Sequence, residues 1–172
     1  ELVLRKDYDQ CRDEVQKYAG KGYRVLLFGK YEGELDGERL RDKVIPYGYI
    51  LLANPIRQEA PETFAYFAEQ GVDVKVISGD NPLTVSEVAK EAGIKNADRY
   101  IDASTLRTEE EIAEAIAEYT VFGRVTPAQK RQFVQALKAQ GRTVAMTGDG
   151  VNDVLALKDA DCSVAMASGS DA

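Results

Sequence analysis

Apolar residues at positions 8, 11, 15 and 18 recur at helical spacing, which predicts a helix over residues 7–19 that Gly20 and Gly22 end. The period then drops to that of a strand, YRVLLF at 23–28. A charged, Gly-punctuated stretch over 29–42 reads as a turn and exposed loop. A second strand, YGYILL, follows at 47–52. After Asn54-Pro55 the pattern changes again, to helices alternating with short apolar strands. Helices are expected over 58–70, 82–92, 108–118, 127–139 and 152–159. Strands are expected over 72–77, 99–101, 120–122, 142–146 and 162–166. Such alternation argues for a parallel α/β sheet.

The chain has 172 residues, 44% of them hydrophobic, enough for a packed core. The net charge of −7 opposes a nucleic-acid partner but not a nucleotide, whose binding is decided by a local pocket. The absence of histidine removes Ser-His-Asp, Cys-His and His-ligated metal sites. Cys11 and Cys162 fit neither a disulfide framework nor a zinc spacing. Chemistry here is left to carboxylates, lysine, hydroxyls and backbone amides. The longest apolar stretch, over 47–56, is about half of what a bilayer span needs. The chain opens on Glu1 and stops at Ala172 without a closing element, so a larger natural protein is expected.

Three segments, each after a strand, carry candidate chemistry. Thr147-Gly148-Asp149-Gly150-Val151-Asn152-Asp153 places two carboxylates, Asp149 and Asp153, four residues apart across a tight turn. A hard cation such as Mg²⁺ suits that oxygen-rich geometry; a Gly-Asp turn with Asp153 stabilising a helix dipole is the plainer reading. Ser78-Gly79-Asp80 offers a hydroxyl and free amides for phosphoryl oxygens, or else an N-cap ahead of Pro82. Lys130 lies one turn into the helix opened by Arg124-Val125-Thr126-Pro127, where it either reaches a phosphate or sits solvated on the surface.

The order hydroxyl-Gly-Asp, Pro-x-x-Lys, GDGVND is similar to that of haloacid-dehalogenase-type phosphotransferases. SGD, TPAQK, TGDGVND and the trailing Asp161-Cys162-Ser163-Val164-Ala165-Met166 resemble the P-type cation-transporting ATPases in particular. Asn54-Pro55-Ile56-Arg57 resembles that family's hinge between nucleotide and phosphorylation domains. Lys21-Gly22-Tyr23-Arg24-Val25-Leu26 resembles its late nucleotide-domain strand. The resemblance implies a Rossmann-like α/β fold over residues 54–172, with a small α+β nucleotide-domain remnant over 1–53. It implies Mg²⁺ on Asp149 with Asp153 in support, and phosphoryl oxygens held by Ser78 and Gly79. Asn152 would orient groups around the phosphoryl, Lys130 would neutralise transition-state charge, and Asp80 would steer Lys130. Arg24 and Arg124 would touch ATP, with Arg57 in the same nucleotide-binding set. The parent would be a multi-pass membrane pump working through an aspartyl-phosphate. This piece would lie on the cytoplasmic side, partnered by the rest of its own polypeptide, ATP and the transported cation. Calcium is the cation expected, though selectivity itself is set by transmembrane residues.

The departures are as informative. The family's phosphorylated aspartate, in Asp-Lys-Thr-Gly-Thr, has no counterpart; Asp42-Lys43-Val44 shares two letters but follows no apolar strand. Asn54 stands where the hinge usually has Asp, and Ser78 where the family has Thr. A soluble phosphatase of the same superfamily and a non-catalytic nucleotide-sensing module remain the alternatives. In the family, the strand carrying the nucleophile lies between those ending at Ser78 and Thr147. An empty slot would strand buried backbone groups, so those two strands are expected to pair directly or to receive a strand, from residues 1–5 or from another chain.

Overall fold

The computed structural model describes residues 4, 7–33, 40, 43–53, 55–148 and 150–166. The chain begins with helix α1 (Tyr8–Ala19), which packs on an antiparallel hairpin of β1 (Arg24–Tyr31) and β2 (Val44–Leu52). Cys11 and Ala19 are buried beneath it, and Tyr18 packs on Tyr49 with ring centroids 6.3 Å apart. Burial first, then a hydrogen bond with Cys11, pushes the Tyr49 phenol up to about 12. Both strands run further than the apolar pattern alone indicates. They pass through a register irregularity at Phe28/Gly29 that places Gly29 opposite Pro46, and a hairpin edge tolerates the missing amide.

The rest of the chain is α/β. Helix α2 (Ala60–Glu69) leads to β3 (Val76–Ile77), then α3 (Pro82–Glu91), β4 (Tyr100–Asp102), α4 (Glu109–Glu118) and β5 (Val121–Gly123). These strands form a parallel sheet in the order β3-β5-β4. The central strand is fully buried, and its side chains alternate between faces. Val121 joins Val76 and the α3 residues Val85 and Ala89 on one side. Phe122 joins Ile77, Ile101 and Ile116 on the other, its ring tilted 49° against Phe133 of α5 (Pro127–Ala139) with centroids 4.6 Å apart. Helix α5 then leads to β6 (Ala145–Gly148), α6 (Val154–Asp159) and β7 (Cys162–Ala165). Strands β6 and β7 pair in parallel as a second sheet. Val134, Val144 and Ala156 tie α5 and α6 to it.

The expected direct pairing of the strands before Ser78 and Thr147 does not occur. Among the described residues β3 pairs only with β5, and β6 only with β7. The reason lies in burial. Direct pairing needs two long, covered strands, but β3 shortens to two residues and Val72 is exposed. Strand β7 is exposed along its length, as are alternate residues of β6. Residues 1–3 and 5 of the alternative filling segment lie outside the described residues. Helix α2 buries no residue and leaves Tyr66 and Phe67 exposed. No described helix is long and apolar enough to cross a membrane.

Candidate functional site

Ser78–Asp80, Arg124 and the turn at 150–153 follow the carboxyl ends of β3, β5 and β6, where parallel strands present ligand-binding loops. After β3, the Ser78 hydroxyl accepts the Asp80 amide at 3.1 Å. Helix α3 is capped by Asn81, whose side chain accepts the Leu83 amide at 3.0 Å. The capping role that Ser78 or Asp80 could have filled is thus taken by their neighbour. The loop after β5 is laced to this one: the Val125 amide donates to the Ser78 carbonyl at 3.0 Å, and the Arg124 amide to the Asp80 carbonyl at 2.8 Å. Gly123 makes this approach possible, since a Cβ there would stand 2.3 Å from Pro82 Cα. Arg124 itself sits at φ +52°, a left-handed conformation uncommon for a side-chain-bearing residue.

Helix α5 starts with a reciprocal capping box between Thr126 and Gln129, with Pro127 at its first turn. That start aims Lys130 at the turn after β6, where its Nζ lies 2.6 Å from Asp153 Oδ1. The pair is well covered, the side chains being 16% and 7% exposed. The second carboxylate oxygen, Oδ2, accepts the Gly150 amide at 3.3 Å. Gly148 leaves room for the carboxylate, because a Cβ there would fall 2.7 Å from Asp153 Cβ. Asn152 is exposed beside it, and Asp149 lies outside the described residues.

A cavity of about 280 Å³ opens nearby, lined by Arg24, Gly79, Asp80 and Arg124 together with Val15 and Ala19 of α1. Arg24 Nε lies 3.5 Å from Asp80 Oδ1. The start of β1 is held there by the Thr84 hydroxyl, which donates to the Tyr23 carbonyl at 3.2 Å. Two expected neighbours are not brought together among the described residues. Asp80 faces Arg24, and the carboxylate that Lys130 meets is Asp153. Arg57 is exposed just before α2 and does not line the cavity. One residue escaped the sequence reading. Asp102, at the end of β4, accepts Arg124 Nη1 at 2.6 Å. Burial alone would raise its carboxyl, but hydrogen bonds from the Ser104 hydroxyl and amide, then the Arg124 guanidinium, hold it below the usual range. The Asp102-x-Ser104 spacing of an Asx turn at a strand end was its only sequence signal.

A divalent cation fits this arrangement in one way. Both Asp153 oxygens already have partners, so Asp153 suits a supporting role around an ion held by other oxygens. Among the described residues no cluster of three metal-ligating side chains exists.

The family model for haloacid dehalogenase-like hydrolases matches residues 4–161. The chain belongs to that family. The haloacid dehalogenase-like fold accounts for the parallel β3-β5-β4 sheet. Relatives carry the likeness further. The chain is 48% identical over 171 residues to the calcium-transporting ATPase CtpE of Mycolicibacterium smegmatis, covering 99% of this chain and 21% of that protein. It is 40% identical over 171 residues to the probable cation-transporting ATPase exp7 of Streptococcus pneumoniae, covering 98% and 21%. It is 33% identical over 178 residues to the magnesium-transporting ATPase, P-type 1, of Salmonella typhimurium, covering 99% and 19%. This haloacid dehalogenase-like chain is thus homologous along nearly its whole length to P-type cation-transporting ATPases, and spans about a fifth of the length of these relatives.

Proposed function

We propose that this chain is the phosphoryl-handling segment, with an attached nucleotide-binding remnant, of an ATP-driven cation pump that works through an aspartyl-phosphate. The observation that carries the reading is the covered Lys130–Asp153 pair, set in TPAQK and TGDGVND, in a chain homologous to cation-transporting ATPases. In this reading Ser78 and Gly79 present a hydroxyl and amides to phosphoryl oxygens. Lys130, fixed by Asp153, supplies positive charge where negative charge builds in the transition state. Arg24 and Arg124 receive the phosphates or ribose of ATP in the 280 Å³ cavity. Mg²⁺, when bound, would neutralise phosphate oxygens; Asp149 would hold it and Asp153 would support it. The phosphorylated aspartate comes from another segment of the parent, so the chain alone does not autophosphorylate.

Three features support the role of a piece within a larger protein. The hairpin exposes Leu26, Phe28, Tyr47, Ile50 and Leu52. Among the described residues β3 and β6 each pair on one side only, and α2 leaves Tyr66 and Phe67 exposed. We assign residues 1–53 to the nucleotide-domain remnant and 54–172 to the phosphorylation domain. The parent would be a multi-pass membrane protein with this segment on the cytoplasmic side. Calcium is the cation named for the relatives at 48% identity, and it is the ion to assay first. Calorimetric titration of the chain with Mg²⁺ and a phosphate mimic tests the core of the proposal. Binding that Asp149→Asn abolishes is expected; undiminished binding in that variant refutes the metal assignment.

A further inference from the structure

The two arginines that line the cavity are held very differently. Arg24 meets Asp80 at 3.5 Å, a distance at which an ion pair between half-exposed groups is loose. Arg124 meets Asp102 at 2.6 Å, a short charge-assisted hydrogen bond. Asp102 is itself immobilised. It ends β4 in register with Gly123, the residue before Arg124. Its Oδ1 accepts both the Ser104 amide at 3.0 Å and the Ser104 hydroxyl at 2.6 Å. The two oxygens divide their work: Oδ1 belongs to the turn, and Oδ2 to the guanidinium. The backbone of Arg124 is pinned too, through its amide to the Asp80 carbonyl. A guanidinium carries five N–H donors in a rigid fork, and one edge engaged by a carboxylate leaves others free for an anion.

We infer that Asp102 is a positioning residue for nucleotide binding, fixing the Arg124 guanidinium at the wall of the cavity so that it receives phosphate without first being ordered. Arg24 is the mobile partner, leaving Asp80 for the ligand, while Arg124 stays on Asp102 throughout. The inference rests on the reading that this cavity takes ATP. It adds a residue that touches no ligand, and it ranks the two arginines by how much each must rearrange.

Asp102→Asn separates the two tasks of this side chain. An amide oxygen in the Oδ1 position keeps both Ser104 bonds, whereas the amide nitrogen in the Oδ2 position turns a donor toward the guanidinium. Calorimetric titrations of the chain with ATP and with adenosine, for the wild type and each variant, supply the test. Asp102→Asn is expected to weaken ATP about fivefold, the upper range for a half-exposed ion pair, with adenosine affinity and melting temperature unchanged. Arg124→Lys keeps the charge but loses the fork. It should lose a similar factor, and the double variant should lose no more than either alone. Ser104→Ala, which spares Oδ2, should stay within about twofold of wild type. Unchanged ATP affinity in Asp102→Asn, additive losses in the double variant, or equal losses for ATP and adenosine would each overturn the inference while leaving the ATP site standing. A wild-type chain that binds no ATP would instead overturn the reading beneath it.

Discussion

Removing the ammonium group of Lys130 gives the most direct measure of the site's internal electrostatics. In Lys130→Ala the Asp153 carboxylate, 5% exposed as a residue, keeps only the Gly150 amide as a donor among the described residues. Removing one partner of a buried pair typically costs about 3–5 kcal/mol, because the remaining charge stays out of water. The lower figure applies here: the lysine is 16% exposed, so its loss admits water from that side. With a urea m-value of about 2 kcal/mol/M, a loss of about 3 kcal/mol moves the unfolding midpoint down by about 1.5 M at constant m. Lys130→Met with Asp153→Asn removes both charges and keeps the volume, and should recover most of that loss. A midpoint within about 0.3 M of wild type for Lys130→Ala would refute the premise that the pair is shielded. In the parent protein the same substitution should slow phosphoenzyme formation roughly a hundredfold or more, the usual effect of losing one positioned transition-state donor. Phosphorylation at the wild-type rate would show that Lys130 serves stability alone.

Three further outcomes follow from the geometry. Gly148→Ala drives a methyl group to within 2.7 Å of Asp153 Cβ and 2.8 Å of its Oδ2; a destabilisation of about 1–3 kcal/mol is expected from overpacking, and an unchanged thermal midpoint would show that the turn yields freely. Asp159 is depressed chiefly by its hydrogen bond from Arg131, and Asp161 by the Val144 amide and then Lys138. Both folded values lie below the unfolded ones, so their stabilisation is full above the ordinary carboxylate range and is lost as pH falls through the folded values. Thermal melts between pH 7 and 3 should show that loss, smaller in Arg131→Ala; an identical acid profile in that variant would contradict the assignment. Wild-type chain incubated with [γ-³²P]ATP should take up no acid-stable label, and stoichiometric labelling would place a nucleophile within it.

The α/β reading was legible because it depended on local signals. Pro82 and Pro127 mark helix starts, and the apolar runs before Ser78, Arg124 and Thr147 end at the loops that carry the candidate chemistry. The Lys130–Asp153 contact was half legible: both residues stood out, but spacing along the chain cannot show which of several carboxylates a lysine meets across a crossover. Strand lengths were the weak point. Residues 72–75 read as strand by composition, yet β3 holds only Val76–Ile77, because a strand extends only as far as a neighbour pairs with it and β5 is three residues long. The strands before Ser78 and Thr147 are apolar enough to read as covered on both faces, but burial is a tertiary property. Asp102 went unnoticed because an Asp two residues before a Ser is common at strand ends, and nothing local links it to an arginine 22 residues on.

Arg124 adopts a backbone conformation that suits glycine, and holds it at a position where its side chain bonds Asp102. A residue with a Cβ gives up about 1 kcal/mol in that region. Relaxing the strain and keeping the guanidinium are therefore incompatible aims at this one position. A campaign that ranked substitutions by melting temperature would favour Arg124→Gly, and each round of such selection would erode nucleotide affinity while improving the protein by its own measure. Residues under this tension can be found without knowing the ligand, by asking where a chain tolerates a conformation that its own side chain disfavours.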